Sequence, residues 1–534
     1  MNIPDRIINR IRREINLQVN RFHVWKAEKS FPDDLFSSTV KPVVIFNAST
    51  RLSGLSQNAG FSLITSLALQ KNNIPTHHVY CDHGLHPCVL GTDRDDPETT
   101  PPCRECTRTS RLILKNGNAH ALTFKPDSKL TKAINGLSLD QLLSFSFEGI
   151  QIGEMILPSM RWILRKHHLA DNAIHRALAQ KYIQSAWNVF QHFSHLLDML
   201  DPSIVLVFNG MFYPEAMARL AAQLRNIPVI SHEVGMLPFS AFFTDQEATA
   251  YPVKVDGDFQ LSKTQEARLD EYLGNRFQGN FQTAGVRFWS EIKQFSPELT
   301  EKINQFAHIV PIFTNVIFDT SQSHANTLFE HMFSWLELVV DEVKKHPETL
   351  FIIRAHPDEI RPGKESRESV SEWFLDKKLS EITNMVFIPP DEYISSYDLV
   401  SIAKFVMVYN STIGLEASIM GKPVICAGKA RYTQIPTVFF PDSIKSYSAL
   451  LEKFLRADNI KQPQEMKSNA RRVLYSQLFR ASLPFDEFLK EDGVWQGYVR
   501  LQKFSPDRLL KGRSEVIDVI LSGIQNNQSF IREI

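Results

Sequence analysis

The chain has 534 residues, 43% hydrophobic and 22% charged, with 59 Lys or Arg against 59 Asp or Glu. That length exceeds what one hydrophobic core organises and implies two large domains. Zero formal charge leaves no global footprint for nucleic acid, and no apolar run reaches the roughly 18–20 residues needed to span a bilayer.

The first segment, residues 1–40, opens with MNIPDRIINRIRREINLQ and has no apolar signal-peptide core, so a cytoplasmic location is expected. Ile3, Ile7, Ile8, Ile11, Ile15 and Leu17 recur at mostly helical spacing. From Met1 to Ser30 there are seven Lys or Arg against three Asp or Glu, a net of +4. Such a basic amphipathic helix suits peripheral contact with an anionic inner-membrane surface; the plainer reading packs its isoleucines on the body of the protein.

A first α/β unit, 41–290, begins with PVVIFN as a buried strand. The polar loop behind it carries Asn47, Ser49, Thr50 and Arg51, donors suited to a hydroxyl-rich or anionic acceptor. No GxGxxG follows this strand, which argues against a nicotinamide enzyme. Phe61 to Gln70 reads as a helix and His77 to Cys81 as the next strand.

An insertion over 81–106 then holds four of the five cysteines, Cys81, Cys88, Cys103 and Cys106, with His83 and His86 nearby. The Cys103-Arg-Glu-Cys106 spacing is one that structural zinc uses, and four thiolates would close a tetrahedral shell. Free thiols and redox chemistry are the alternatives.

Residues 137–200 read as helical and aromatic-rich, a packing element. IVLVFNG and IPVISHEVG follow as strands separated by a helix, and their ends bring Asn209, Glu215, His232 and Glu233 to one edge of a parallel sheet. Gly235 beside them would leave room for a substrate. The stretch 254–306 lacks βα rhythm and reads as the exit from this domain.

A second βα series occupies 300–480. IVPIFTNVIFD, LFIIRAHPDE, MVFIPP, FVMVYN and PVICAG are its strands, with helices between. After FVMVYN the chain turns polar at Asn410, Ser411 and Thr412, runs as a helix from Ile413 to Met420, and stops at Gly421 and Pro423. A strand end with two hydroxyls at a helix start favours phosphate; the plainer reading is a helix cap. The tail, 481–534, is expected to be helical.

Two Rossmann-like doubly wound domains facing a cleft, with a phosphate-type turn in the second, describe an α/β protein of GT-B architecture. FTNVIFD, IIRAHPDE, YNSTIGLEASIMGKPVI and the first-domain stretch FNGMFYPEAMARLAAQLRNIPVISHEVG resemble the bacterial capsule polysaccharide biosynthesis glycosyltransferases. The resemblance covers about half the chain. It implies transfer of a sugar from a nucleotide-sugar donor to a glycan or lipid-linked glycan. The HP and Ser/Thr pairs also resemble motifs with which bacterial sialyltransferases hold a CMP donor. Carried over, His356 and Pro357 lie against the nucleotide, Ser411 and Thr412 bind its phosphate, and Glu416 takes the ribose; Asn315 and Asn410 flank them. The acidic catalytic motif of those enzymes is matched only approximately, by Glu233-Val234-Gly235.

A metal-independent reaction is expected, since no DxD-like motif stands at a strand end. Glu233 is the expected general base and His232 its runner-up. Two other functions share the architecture: a hydrolysing UDP-sugar 2-epimerase and a non-catalytic glycan-binding scaffold.

Overall fold

The computed structural model describes residues 3–534 except 34, 36–38, 51–53, 97–98, 115–117 and 279–293. In chain order the first elements are α1 (Ile3–Glu28), β1 (Val43–Phe46), α2 (Gln57–Lys71), β2 (Thr76–Cys81), α3 (Cys103–Ile113) and β3 (Ala119–Leu122). Two short helices, α4 (Ser128–Ile134) and α5 (Leu139–Leu143), precede a small hairpin, β4 (Ser146–Phe147) and β5 (Ile150–Gln151). The long helices α6 (Ile152–Leu164) and α7 (Ala173–Leu200) follow, then β6 (Ile204–Phe208), α8 (Tyr213–Gln223), β7 (Val229–Val234) and β8 (Ser240–Thr244).

The second series runs α9 (Lys263–Phe277), α10 (Pro297–Asn304), β9 (His308–Phe313), α11 (Gln322–Ala325), α12 (Met332–Val343) and β10 (Thr349–Arg354). It continues α13 (Val370–Asp376), β11 (Met385–Ile388), α14 (Ser396–Ile402), β12 (Val406–Val408), α15 (Ile413–Ile419) and β13 (Val424–Cys426). The chain closes with α16 (Ile444–Arg456), α17 (Gln464–Tyr475), β14 (Leu483–Pro484), β15 (Leu489–Glu491), β16 (Val499–Leu501) and α18 (Glu515–Asn526).

Each series builds one sheet. The first has the order β14-β8-β7-β6-β1-β2-β3, parallel from β3 through β7 and antiparallel at β8 and β14. The second, β11-β10-β9-β12-β13, is parallel throughout. In both, the order reverses beside the first strand, at β1/β6 and at β9/β12. Ligands of doubly wound sheets bind beyond the carboxyl ends at such a reversal.

Strand alternation explains the layers. Val44 and Phe46 of β1 pack with Val205 and Val207 of β6 against α6, α7 and α8. Ile45 and Leu206 point the other way, onto Phe61 of α2 and Ile520 of α18. Phe46, Phe61 and Phe193 are fully buried, each contributing roughly 1.5–3 kcal/mol of transfer free energy. In the second domain Val406 and Val408 face α15 and α17, while Met407 faces the α12 and α16 side with Trp335.

Two segments differ from the sequence expectation. The tail over 481–534 is not simply helical: β14 pairs with β8 of the first sheet, β15 and β16 form a hairpin, and α18 packs on α2. The chain therefore crosses from α17, which packs on α15, back to the first domain. Leu483, Phe485, Phe488, Leu489, Val499 and Leu501 are all buried there, in runs too short for a strand period to show. In the other direction, Leu269 and Leu273 of α9 belong to the second core, although they precede its first strand. Two doubly wound domains across a cleft, with the carboxyl end returning to the first, constitute the GT-B architecture.

Candidate active site

The carboxyl ends of the two sheets meet across the cleft. Thr249 Oγ1 lies 2.9 Å from His324 Nε2, Arg431 stands 4.8 Å over the Tyr251 ring, and the Trp162 and Phe318 rings are 6.1 Å apart.

On the first-domain side Glu233 is the penultimate residue of β7, half-buried. Its Oε1 accepts from Asn58 Nδ2 at 3.2 Å and from the Val234 N–H at 2.8 Å; Oε2 accepts from Asn209 Nδ2 at 3.1 Å. Burial raises its pKa, those three donors pull it back, and the charge of Asp319 across the cleft pushes it up further. A carboxylate held in place yet made more basic is what a general base needs.

His232 is not brought to the cleft. It points to the opposite face of the sheet, fully buried against Phe243, with Nε2 2.9 Å from Ser62 Oγ of α2. Desolvation lowers its pKa to about 3. It lies in the core behind β7, as alternation along a strand dictates. Gly235 does not hold space for substrate either: a Cβ there would come 2.3 Å from Ser240 Oγ, so the glycine admits the turn into β8.

The loop after β1 is more internal than its polarity suggests. Asn47, Ser49 and Thr50 are all buried. Thr50 Oγ1 donates to Asn47 Oδ1 at 3.0 Å, and Ser49 Oγ donates to Glu215. Arg51 lies outside the described residues. Of this set, Asn209 is the one whose side chain meets the proposed base, and its Oδ1 also accepts the Met211 N–H at 3.0 Å.

Glu215, at the start of α8, is fully buried, and desolvation raises its pKa from 4.5 to about 8 despite the Ser49 hydroxyl. A carboxyl whose folded pKa lies above its unfolded value stabilises the fold at low pH and loses that contribution as pH rises, here between about 4.5 and about 8. Glu215→Gln is therefore expected to raise stability at pH 8.5 by on the order of 4–5 kcal/mol relative to the parent, and to change it little at pH 4. Denaturant melts at both pH values check this; equal effects at the two would mean that Glu215 is ionised in the fold.

On the second-domain side, Asn315 Nδ2 donates to Asn410 Oδ1 at 2.7 Å, joining the ends of β9 and β12 at the reversal. Ser411 and Thr412 follow, half-buried. Thr412 makes no side-chain cap bond, and neither hydroxyl has a hydrogen-bond partner among the described residues. The helix-cap reading thus loses its support. The Ser411 carbonyl accepts from Tyr432 Oη at 2.7 Å. Gly414 permits that approach, since a Cβ there would fall 2.5 Å from the same oxygen.

His356, after β10, accepts the Asp358 N–H on Nδ1 at 3.1 Å, with Pro357 opening the short helical turn. Burial lowers its pKa. A neutral ring whose Nδ1 accepts carries its proton on Nε2, which is left as a donor with no partner among the described residues. Glu416 differs from the expectation of a ribose ligand. It is buried, with Oε1 2.5 Å from Arg276 Nε and Oε2 2.8 Å from Tyr397 Oη, so both oxygens face protein donors.

Sequence reasoning left out Asp319, whose charge reaches Glu233, Tyr251, His356 and Lys364. It stood in view as the last residue of FTNVIFD. Arg94 was hidden inside the cysteine-rich segment; its guanidinium lies 4.0 Å over Trp162, with Lys364 Nζ 5.2 Å from the same ring. Among the described residues, no three of Cys81, Cys88, Cys103 and Cys106 bring their sulfurs within 4.8 Å of one another. Cys81 and Cys103 are half-buried, Cys88 and Cys106 buried, and none of the four is in a disulfide.

Residues 287–436, which hold β9 through β13 with Asn315, Asp319, His356, Asn410, Ser411, Thr412 and Glu416, match the family model described as capsule polysaccharide biosynthesis protein. Over these residues the chain is similar to that family. Protein FixF of Sinorhizobium fredii (strain NBRC 101917 / NGR234) is 26% identical over 243 residues, 43% of this chain and 50% of that protein. The chain thus spans about half the length of that curated relative.

Among solved structures, the beta Kdo 2,4 transferase of Thermosulfurimonas dismutans KpsC is 14% identical, over 51% of this chain and 79% of that one, with a TM-score of 0.33. The beta Kdo 2,7 transferase of the same KpsC is 17% identical over 53% and 80%, TM-score 0.30. UDP-GlcNAc 2-epimerase from Neisseria meningitidis, bound to UDP-GlcNAc, is 13% identical over 82% and 98%, TM-score 0.21. The fold assignment rests on the strand order and not on these values.

Proposed function

We propose that the protein is a glycosyltransferase that moves a sugar from a nucleotide-sugar donor to a surface or capsular polysaccharide. The observation that carries this reading is that the charge of Asp319 reaches both Glu233 of the first domain and His356 of the second, with His356, Ser411 and Thr412 in the segment that matches the capsule family. The acceptor hydroxyl gives its proton to Glu233 as its oxygen bonds to the sugar. The nucleotide departs with the electron pair on its phosphate oxygen. That growing charge meets three donors, the two hydroxyls and His356 Nε2–H, so the reading assigns the work to side chains and not to a metal. The motif resemblance favours CMP as the nucleotide.

Thermal-shift titration with CMP, UDP, GDP and CDP tests the donor; a ligand at ~100 times its dissociation constant adds ~2.7 kcal/mol. Changing Ser411 and Thr412 together to Ala is expected to weaken binding of the stabilising nucleotide by roughly 2–4 kcal/mol, the value of one to two hydrogen bonds to charged oxygen. Unliganded stability should stay within roughly 0.5 kcal/mol, because neither hydroxyl has a hydrogen-bond partner among the described residues. Unchanged affinity in that variant would remove the turn from the donor site. Sugar-nucleotide conversion in the absence of any acceptor would point to the epimerase chemistry instead.

A further inference from the structure

The sequence leaves α1 with two readings, and the structure separates them onto two faces. Leu17, Asn20, Val24 and Ala27, spaced by three and four, are buried against the body. Asn20 Oδ1 accepts the Leu501 N–H at 2.7 Å, Asn16 Nδ2 donates to the Asp492 carbonyl at 2.8 Å, and Glu14 takes Arg108 of α3. These contacts hold the helix from Glu14 to Ala27. The isoleucines are not part of them. Ile7, Ile11 and Ile15 are 54–56% exposed, Phe22 56%, Ile8 46% and Trp25 48%. Positions 7, 11, 15 and 22 fall on one line of the helix, with 8 and 25 beside it, so a second apolar stripe runs along the outer side of a rod about 39 Å long.

We propose that this outer face of α1 docks the protein on the anionic surface of a lipid bilayer, lying in the interfacial plane. Charge decides between occupants. Arg6, Arg10, Arg12 and Lys26 are exposed on the helix and Lys29 just beyond its end, against the exposed acid Asp5, while Glu14 is tied to Arg108, in a chain whose total charge is zero. A second copy would bring the same cations onto themselves; anionic headgroups complement them. Trp25 adds an interfacial aromatic with Lys29 Nζ 4.1 Å from its ring. No described helix is long and apolar enough to cross a membrane, so the contact lies on the surface.

The test is flotation of the full chain with vesicles of phosphatidylglycerol and phosphatidylcholine, against phosphatidylcholine alone, at low and high salt. The parent should float with the anionic vesicles and be released by salt. The Ile7→Ser, Ile11→Ser, Ile15→Ser, Phe22→Ser combination should partition roughly tenfold less or worse, with a melting temperature close to the parent's because those side chains already face water. Failure of the parent to float with anionic vesicles at low salt overturns the proposal, as does equal flotation of the fourfold variant. A parent that is dimeric by light scattering and does not float, with a monomeric variant, would overturn it in favour of a second copy. None of these outcomes depends on the transfer reaction.

Discussion

The Glu233→Gln protein is expected to turn over roughly 100-fold more slowly than the parent or worse, the usual contribution of general base catalysis, while binding donor nucleotide with nearly unchanged affinity. The site itself gives the reasons. Three donors, Asn58 Nδ2, Asn209 Nδ2 and the Val234 N–H, converge on the two carboxylate oxygens. A glutamine keeps one acceptor for Asn58 and Val234 but turns its amide toward Asn209. Asn209 cannot rotate its own amide in reply without losing the Met211 N–H from Oδ1. Some loss of stability, about 1–3 kcal/mol, therefore accompanies the loss of basicity and must be measured alongside the rate. The pH profile separates the two. Because burial and Asp319 raise the pKa of Glu233, the parent's rate should climb with pH through a limb above the ordinary carboxylate range. The residual activity of the variant should lack that limb. A Gln variant that transfers sugar at close to the parent's rate would take Glu233 out of the reaction, and His232 does not inherit the role, since it lies on the other face of the sheet.

Much of this arrangement was legible before any coordinates, and the limits follow from what a pattern of residue types encodes. Buried parallel strands such as VVIF and VMV announce themselves because both faces are covered, and the turn after each marks the ligand edge. Alternation along β7 allows only one of His232 and Glu233 to face the cleft, and that one is Glu233. Side-chain partnership was harder to read. Ser49 and Thr50 look like ligand donors in a polar loop, yet their bonds go to Glu215 and Asn47, across contacts that only the folded chain creates. The four cysteines share a short segment, but Cys81 ends β2 and Cys103 begins α3, so their approach is set by the fold and not by their spacing. The return of the tail to the first domain depends on pairing between Leu483 and Ala241, residues far apart in sequence, for which no local period exists.

Glu416 is where two accounts of one residue make opposite predictions. As a ribose ligand it would be dispensable for folding and needed for donor binding. In the structure it is 2% exposed and paired with Arg276, itself 12% exposed, which reaches it from α9, with Tyr397 Oη on the second oxygen. Burial alone would lower the pKa of Arg276, but the Glu416 carboxylate outweighs it and raises the pKa, so the guanidinium stays charged. The pair ties α9, which enters from the first domain, to α15, which follows the Ser411–Thr412 turn. Removing one partner of a buried pair leaves the other charge unpaired and costs about 3–5 kcal/mol. Arg276→Met is expected to lose that much in denaturant melts, with Tyr397 as the only remaining donor to Glu416 among the described residues. Adding Glu416→Gln to it should restore part of the loss, because the stranded charge is then gone. Glu416→Gln alone should also destabilise while leaving donor affinity within about threefold, since the nucleotide meets Ser411, Thr412 and His356 in this reading. If that single variant instead melts like the parent and binds donor more than tenfold worse, Glu416 is a ribose ligand and Arg276 is its support.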